Sequence, residues 1–115
     1  MAVTLQAAYN YATDLLHLKR FKEARSLMRR QMPVARRVLG DSHEVTLRVR
    51  SNYALALYGA DGATLDDLRE AVTMLEETMR TARRLLGGAN PLAMTIERSL
   101  RNARAALRAR EDTQP

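Results

Sequence analysis

The hexapeptide ARRVLG at residues 35–40 returns as ARRLLG at residues 82–87, 47 positions further along the chain. The tripeptide NYA at residues 10–12 likewise returns at residues 52–54, after 42 positions. The two intervals differ by five because residues 59–63 form an insertion in the second copy. Self-similarity with a period of about 20–50 residues is typical of repeat proteins, in which each unit packs only against its neighbours. The sequence therefore predicts a repeat protein with a unit of 42 residues and a longer second copy.

Each unit is predicted to contain two helices, because apolar residues recur three and four positions apart in both halves. The predicted fold class is all-α, with two helix pairs followed by one arginine-rich helix that caps the stack. The predicted helices cover residues 3–18, 21–39, from 42 or 43 to 58, 65–86 and 91–110. The predicted domain spans residues 1–110, divided into repeat 1 at 1–42, repeat 2 at 43–89 and the capping helix at 90–110, and is followed by a disordered tail at 111–115.

Local signals mark the ends of these helices. Gly40 and Gly87 are the last residues of the two copies of the hexapeptide, where glycine commonly ends a helix in the left-handed conformation. Thr64 is predicted to be an N-cap, and Asn90 followed by a proline is the strongest start signal in the chain. Pro33 falls inside the second helix, where it removes a backbone donor, and we expect it to kink or loosen that helix.

Composition narrows the class of protein. The chain of 115 residues has no cysteine and two histidines, so we expect one domain without disulfides, metal ions or cofactors. No stretch is long and apolar enough to span a membrane, and a cysteine-free chain fits a reducing, cytoplasmic setting. The net charge of +6 favours acidic partners.

The repeat resembles a known family. Residues 10–12, together with Phe21, Glu23 and Ala24, resemble the tetratricopeptide signature of small residues at close helix contacts and one aromatic residue in the turn. Residues 39–47, LGDSHEVTL, look like the kinesin light chain subclass, whose repeats carry Leu-Gly, two residues, His-Pro, one residue and Thr-Leu. Glu44 stands where proline is usual. The resemblance implies a right-handed αα-superhelix that serves as a protein-binding scaffold, not an enzyme.

In the resembled fold, the first helix of each pair lines a concave face that holds a peptide. Asparagine suits this role because its carboxamide both donates and accepts hydrogen bonds. The resemblance places peptide-binding residues on the first, third and fifth helices. They are Gln6, Tyr9, Asn10, Thr13 and His17, then Arg48, Ser51, Asn52, Leu55 and Tyr58, then Thr95, Arg98, Ser99 and Asn102.

Several of these residues also have a plain structural interpretation. Asn10 and Asn52 either hold a peptide backbone or bond to neighbouring backbone, and both interpretations stay open. Arg48 and Arg98 either bind partner carboxylates in a charge-assisted fork or are solvated surface charges. Tyr9 and Tyr58 are predicted to be anchors that are half exposed to water, whereas Tyr11 and Tyr53 are predicted to be core residues between helices. His17 is predicted to be a surface residue and His43 a helix-start residue.

Three function classes remain after composition and motifs are combined. The first is a module that binds a protein or peptide, with an acidic ligand favoured by the charge. The second is self-association through an apolar flank on the first helix, which gives a homo-oligomer. The third and weakest is nucleic-acid binding, since aromatic residues for base stacking are few and acids interrupt the arginines. No phosphate loop or nucleophile motif supports catalysis.

Overall fold

The computed structural model describes the backbone of residues 2–113 and the side chains of residues 5–113. Within that part of the chain there are helices and turns but no strand, so the predicted all-α class is confirmed. The five helices are α1 (Ala2–His17), α2 (Phe21–Leu39), α3 (Glu44–Gly59), α4 (Leu65–Leu86) and α5 (Pro91–Asp112).

The last helix is longer than predicted. Helix α5 continues to Asp112, so Glu111 and Asp112 are helical and the prediction of a disordered tail is wrong for these two residues. The backbone N–H of Thr113 then bonds back to Arg110 and closes the helix. The guanidinium of Arg110 also donates to the carbonyl of Ala63 in the loop before α4, which holds the final turn in place. Residues 114–115 of the predicted tail lie outside the described residues.

Capping fixes where the helices begin. The Thr64 hydroxyl accepts a bond from the backbone N–H of Asp67, and the Asp67 carboxylate accepts one from the N–H of Thr64. This reciprocal capping box satisfies two N–H groups that α4 could not satisfy itself. Asn90 caps α5 through its bond from Leu92, and His43 caps α3 by accepting from Val45 at Nδ1. The predicted roles of Thr64, Asn90 and His43 at helix starts are therefore confirmed.

The glycine stops differ in detail from the prediction. Gly40 and Gly87 have φ of +89° and +83°, but their ψ values of 161° and 157° lie far from the left-handed helix. That combination is essentially open to glycine alone, so both positions still require it. Pro33 does not break α2, which is continuous from Phe21 to Leu39. Pro33 lies on the exposed side, where a carbonyl that has lost its donor can be hydrated.

Helix α3 is the centre of the molecule. It packs against α2 and α4 over most of its length and also touches α1 and α5, whereas α1 pairs with α2 and α4 with α5. Its fully buried residues include Leu47, Val49, Tyr53 and Leu57. Helices α1, α3 and α5 therefore lie side by side as the first helices of successive units, with α2 and α4 packed across them.

A polar network joins the two units through Tyr53, which is 2% exposed. Arg29 of α2 donates to the Tyr53 hydroxyl at 3.0 and 3.3 Å, and the hydroxyl donates to Glu70 of α4 at 2.9 Å. Burial raises the pKa of the Tyr53 phenol above its ordinary value, so the hydroxyl keeps its proton for Glu70. Nearby, Arg25 of α2 lies 3.3 Å from Asp67 of α4. Three helices are thus fixed in register.

The prediction that Tyr11 and Tyr53 are both core residues is right for Tyr53 and wrong for Tyr11, which is 55% exposed. The two tyrosines occupy the same position in successive units. Helix α2 covers Tyr53, but no described helix packs on the equivalent side of α1. The difference therefore comes from the neighbouring unit and not from the local sequence.

We expect Tyr53→Phe to destabilise the fold by roughly 1 kcal/mol, because the ring still fills its site while two hydrogen-bonding groups lose their partner. Tyr11→Phe is the matched control and should change the free energy of unfolding by less than about 0.5 kcal/mol, as exposed substitutions do. Urea unfolding with an unchanged m-value measures both. Equal effects at the two tyrosines would contradict the network.

The capping box makes stability depend on pH through Asp67. The backbone N–H of Thr64, and then Arg25, hold the pKa of the Asp67 carboxyl below its ordinary value of 3.8. A lowered folded-state pKa means that the carboxylate stabilises the fold above the unfolded value and ceases to do so as the pH falls through the folded value. The stability difference between wild type and Asp67→Asn should therefore be constant near neutrality and shrink below pH 3.8. Asp66→Asn, at a neighbouring side chain that is 94% exposed and outside the capping box, is the matched control for the loss of one carboxylate.

Candidate protein-binding face

Helices α1, α3 and α5 present a continuous surface, because α3 contacts both of the others. We call it the α1–α3–α5 face. On α3 the accessible side chains recur at intervals of four, four, three and three residues, which places them in one stripe. They are Glu44, Arg48, Asn52, Leu55 and Tyr58.

Asn52 ties α3 to α1. Its Nδ2 donates to Oγ1 of Thr13 at 3.2 Å, and the Thr13 hydroxyl donates to the carbonyl of Tyr9 at 2.9 Å. The side chain is thereby held in one orientation on the face, with part of its hydrogen-bonding capacity committed. Its Oδ1 accepts no bond from any described residue, so that oxygen is available to a backbone N–H of a ligand.

Gln6 and Asn10 form a second amide pair on α1. Nε2 of Gln6 donates to Oδ1 of Asn10 at 3.2 Å, and both side chains are exposed. The pair leaves the Gln6 oxygen and the Asn10 amide protons free to bond with a ligand. His17, at the end of the same helix, is exposed as predicted.

Arg48 is already paired with a carboxylate. Its Nη2 lies 2.8 Å from Oε1 of Glu44, one turn earlier on the same helix, and both side chains are about half exposed. Glu44, followed by Tyr9 across the helix interface, raises the pKa of the Arg48 guanidinium. Sequence reasoning omitted Glu44 from the face, although a separation of four residues between acid and base is the spacing that forms such pairs.

One predicted residue differs from the expectation of an accessible ligand contact. Ser51 is only 7% exposed, since it lies on α3, which the other four helices contact. Its assignment as a peptide-binding residue is therefore corrected. Tyr58 has the half-buried position expected of it and lines a small cavity with Ala106, Ala109 and Arg110 of α5. Tyr9 is also half buried and packs on the main core, the cluster of buried residues to which all five helices contribute.

The part of the face on α5 stands apart from this cluster. Arg98 and Asn102 are exposed, and neither forms an ion pair or side-chain hydrogen bond with any described residue. Thr95 is exposed and bonds to the carbonyl of Pro91 within the helix, and Ser99 is half buried. Contacts thus link Tyr9, Thr13 and Asn52 and place Arg48 beside Tyr9, but they do not extend to α5.

The described residues offer little for other kinds of chemistry. They contain no group of three or more histidine, aspartate or glutamate side chains that could hold a metal ion. None of the five helices is both long and apolar enough to cross a bilayer. Glu70 and its repeat counterpart Glu23 serve as bonding partners of Tyr53 and Arg20, which is a structural use of both acids.

Comparison with known families agrees with this geometry. One tetratricopeptide repeat family model matches residues 3–64, and a second, of the kinesin light chain-like type, matches residues 63–92. Neither a curated protein nor a solved structure matches the chain. Tetratricopeptide repeats form non-enzymatic scaffolds that mediate protein–protein interaction in general. The chain belongs to the tetratricopeptide repeat family.

Proposed function

We propose that the α1–α3–α5 face binds an extended, acidic segment of a partner protein. The observation that carries the proposal is the cluster at the interface of α1 and α3, where Asn52 bonds to Thr13 beside Tyr9 and Arg48. An oriented carboxamide and a cation, next to a half-buried phenol, supply the three kinds of contact that a peptide needs. They are a backbone bond, an acidic-side-chain contact and an apolar platform.

The backbone of the ligand is expected to bond to the asparagines. Asn52 has a free acceptor oxygen, and Asn10 has free amide protons on the neighbouring helix. A peptide lying across α1 and α3 presents both an N–H and a C=O to these groups. Because this contact involves only the backbone of the ligand, it does not depend on the ligand's side chains and provides affinity for many peptide sequences.

Acidic side chains of the ligand are expected to bind Arg48 and Arg98. Arg98 forms no ion pair with a described residue and carries its charge directly into the solvent. Arg48 has to exchange Glu44 for the ligand, so its attraction for a partner is reduced by the internal pair. The net charge of +6 adds a long-range attraction that brings acidic chains to the surface.

We expect Arg48→Glu and Arg98→Glu each to weaken binding of a fluorescein-labelled Asp/Glu-rich peptide by roughly tenfold, which corresponds to about 1.4 kcal/mol. Glu44→Gln should strengthen binding two- to fivefold (about 0.4–1 kcal/mol), because it frees Arg48 from its internal partner. Fluorescence polarisation measures all three variants.

Arg69→Glu is the matched control, since Arg69 is an exposed arginine of the outer helix α4 and its reversal changes the net charge equally. A loss of affinity in the control as large as that in Arg48→Glu would show that only total charge matters, and the proposed face would be wrong.

The asparagine contact has a separate signature. Asn52→Ala should weaken an acidic peptide and its Asn/Gln-substituted analogue by the same factor, about three- to tenfold, as expected for one hydrogen bond of roughly 1 kcal/mol. Arg48→Glu should discriminate between the two peptides. If Asn52→Ala affected the acidic peptide alone, the assignment of Asn52 to the ligand backbone would fail. Isothermal titration calorimetry with both peptides makes the comparison.

Nucleic-acid binding has less support. Arg101 lies 3.9 Å from Glu97 and Arg104 lies 3.0 Å from Glu76, so acids interrupt the arginines of α5. The exposed aromatic residue Tyr11 lies on α1, away from that helix. Unbroken basic stripes with accessible aromatic rings are what single-stranded nucleic acid needs.

A further inference from the structure

The first unit contains equivalents of two of the three residues that form the Tyr53 network: the tyrosine and the glutamate, but not the arginine. Tyr11 and Glu23 occupy the repeat positions of Tyr53 and Glu70. In the second unit, Arg29 of the preceding helix donates to the tyrosine, which donates to the glutamate. In the first unit Tyr11 is more than half exposed, and Glu23 pairs instead with Arg20 at 2.7 Å.

The exposed side of the first unit is a groove between α1 and α2. We call this surface the N-terminal flank; it is lined by Tyr11, Leu15, Lys22, Glu23, Leu27 and Arg30. Leu15 forms its nearly buried floor, and Tyr11 stands on its rim. Helix α2 packs on the equivalent side of α3. The N-terminal flank therefore has the shape of a surface on which one further helix can pack.

The chain also shows which kind of helix does not fit. At the other junction, where α4 packs on α5, Leu100 replaces the tyrosine and Glu76 replaces the arginine of the network. Glu76 then pairs with Arg104 at 3.0 Å. A helix of the α4 type would bring an acid towards Tyr11 and Glu23, whereas a helix of the α2 type brings an arginine.

A second contact defines one more position of the incoming helix. One turn before Arg29, Arg25 of α2 pairs with Asp67 at 3.3 Å. The residue of the first unit at the position of Asp67 is Arg20. Charge complementarity therefore requires an acid in place of Arg25 and an arginine in place of Arg29, four residues apart on the same face of the helix.

We propose that the N-terminal flank binds an amphipathic α-helix of a partner protein, stacked as α2 stacks on α3. The helix carries an acidic residue facing Arg20 and, four residues later, an arginine facing Tyr11 and Glu23. Its apolar side covers Leu15 and Leu27, as Met28 and Met32 of α2 contribute to the main core. On docking, Arg20 and Glu23 exchange their mutual pair for two pairs across the interface. This surface is distinct from the α1–α3–α5 face.

A second copy of the chain is a poorer occupant. The faces of α2 and α4 that would fit are already packed on α3 and α5. The helix face that remains accessible at the other end is that of α5, whose exposed cations would meet Lys22 and Arg30 of the flank. Like charges brought together in this way oppose association. The exposed cations of α5 are Arg98, Arg101, Arg104 and Arg108.

The probe is a synthetic helix with the sequence of residues 21–39, changed by Arg25→Glu to match Arg20 and by Pro33→Arg to follow the second repeat. A lactam bridge on its solvent side holds it helical, and circular dichroism verifies the helicity before titration. We expect it to bind the full chain with a Kd of about 1–100 µM by calorimetry, the range of a small interface. The same probe with Arg29→Glu should bind at least tenfold more weakly.

Charge exchange across the interface is the decisive step. Glu23→Arg in the chain should reduce binding of the first probe at least tenfold and restore binding of the Arg29→Glu probe. Arg48→Glu, on the α1–α3–α5 face, should leave both affinities unchanged. The result is therefore independent of the proposed peptide-binding function.

Three results would overturn the proposal. They are no binding by the helical probe, binding that Glu23→Arg neither weakens nor redirects, and a dimer of the chain alone, seen by sedimentation, that Glu23→Arg dissociates. The last would make a second copy the occupant of the flank.

Discussion

Helix α3 has to be covered on nearly all sides, because nine of its sixteen residues are buried. An isolated helix pair covers a helix on one side only, so α3 cannot be stable in the second unit alone. Helix α2 of the first unit and helix α4 both pack on α3, and Tyr53 bonds to a residue of each. What remains accessible on α3 is the stripe from Glu44 to Tyr58. The candidate binding face is therefore the part of α3 that no helix covers, and its position follows from the packing of the two units.

The burial of α3 leaves the guanidinium of Arg50 with an incomplete set of hydrogen bonds. Its side chain is 6% exposed, its Nη2 lies 3.3 Å from a carboxylate oxygen of Glu77, and its buried Nε has no hydrogen-bond partner. Desolvation, followed by the nearby charge of Arg36, lowers the pKa of the Arg50 guanidinium below its ordinary value. The corresponding residues of the other units are Ala8 and Glu97, so the repeat does not require a cation there. The apolar contacts of α3 are sufficient to keep one poorly satisfied charge inside the molecule.

Sequence reasoning located the helices because their ends depend on local chemistry. Each of these signals acts over only a few residues and lies at a helix boundary. The signals are Thr64 with Asp67, Asn90 with Pro91, and the two glycines. The same reasoning could not separate Tyr11 from Tyr53, since both lie in the tripeptide NYA and only the neighbouring unit differs. The prediction for Ser51 failed for a related reason: helical periodicity places it near the stripe, but the packed helices leave it only 7% exposed. Position on a face can be predicted from spacing, whereas accessibility depends on residues distant in sequence.

The two ends of the molecule differ in the surface they present. On α5, Arg101 and Arg104 stand at the repeat positions of Ala54 and Leu57, which are buried in α3. Their pairs with Glu97 and Glu76 keep these charges at the surface, so that side of α5 lacks the apolar surface that Ala54 and Leu57 provide on α3. The first unit instead keeps the tyrosine on α1 and the glutamate on α2. The equivalent two residues of the second unit bind a neighbouring helix. Since the tyrosine is buried when a helix covers it and exposed when none does, its chemistry at the first unit is suited to a helical neighbour. Association at this end is compatible with peptide binding on the α1–α3–α5 face, because the two surfaces use different sides of α1.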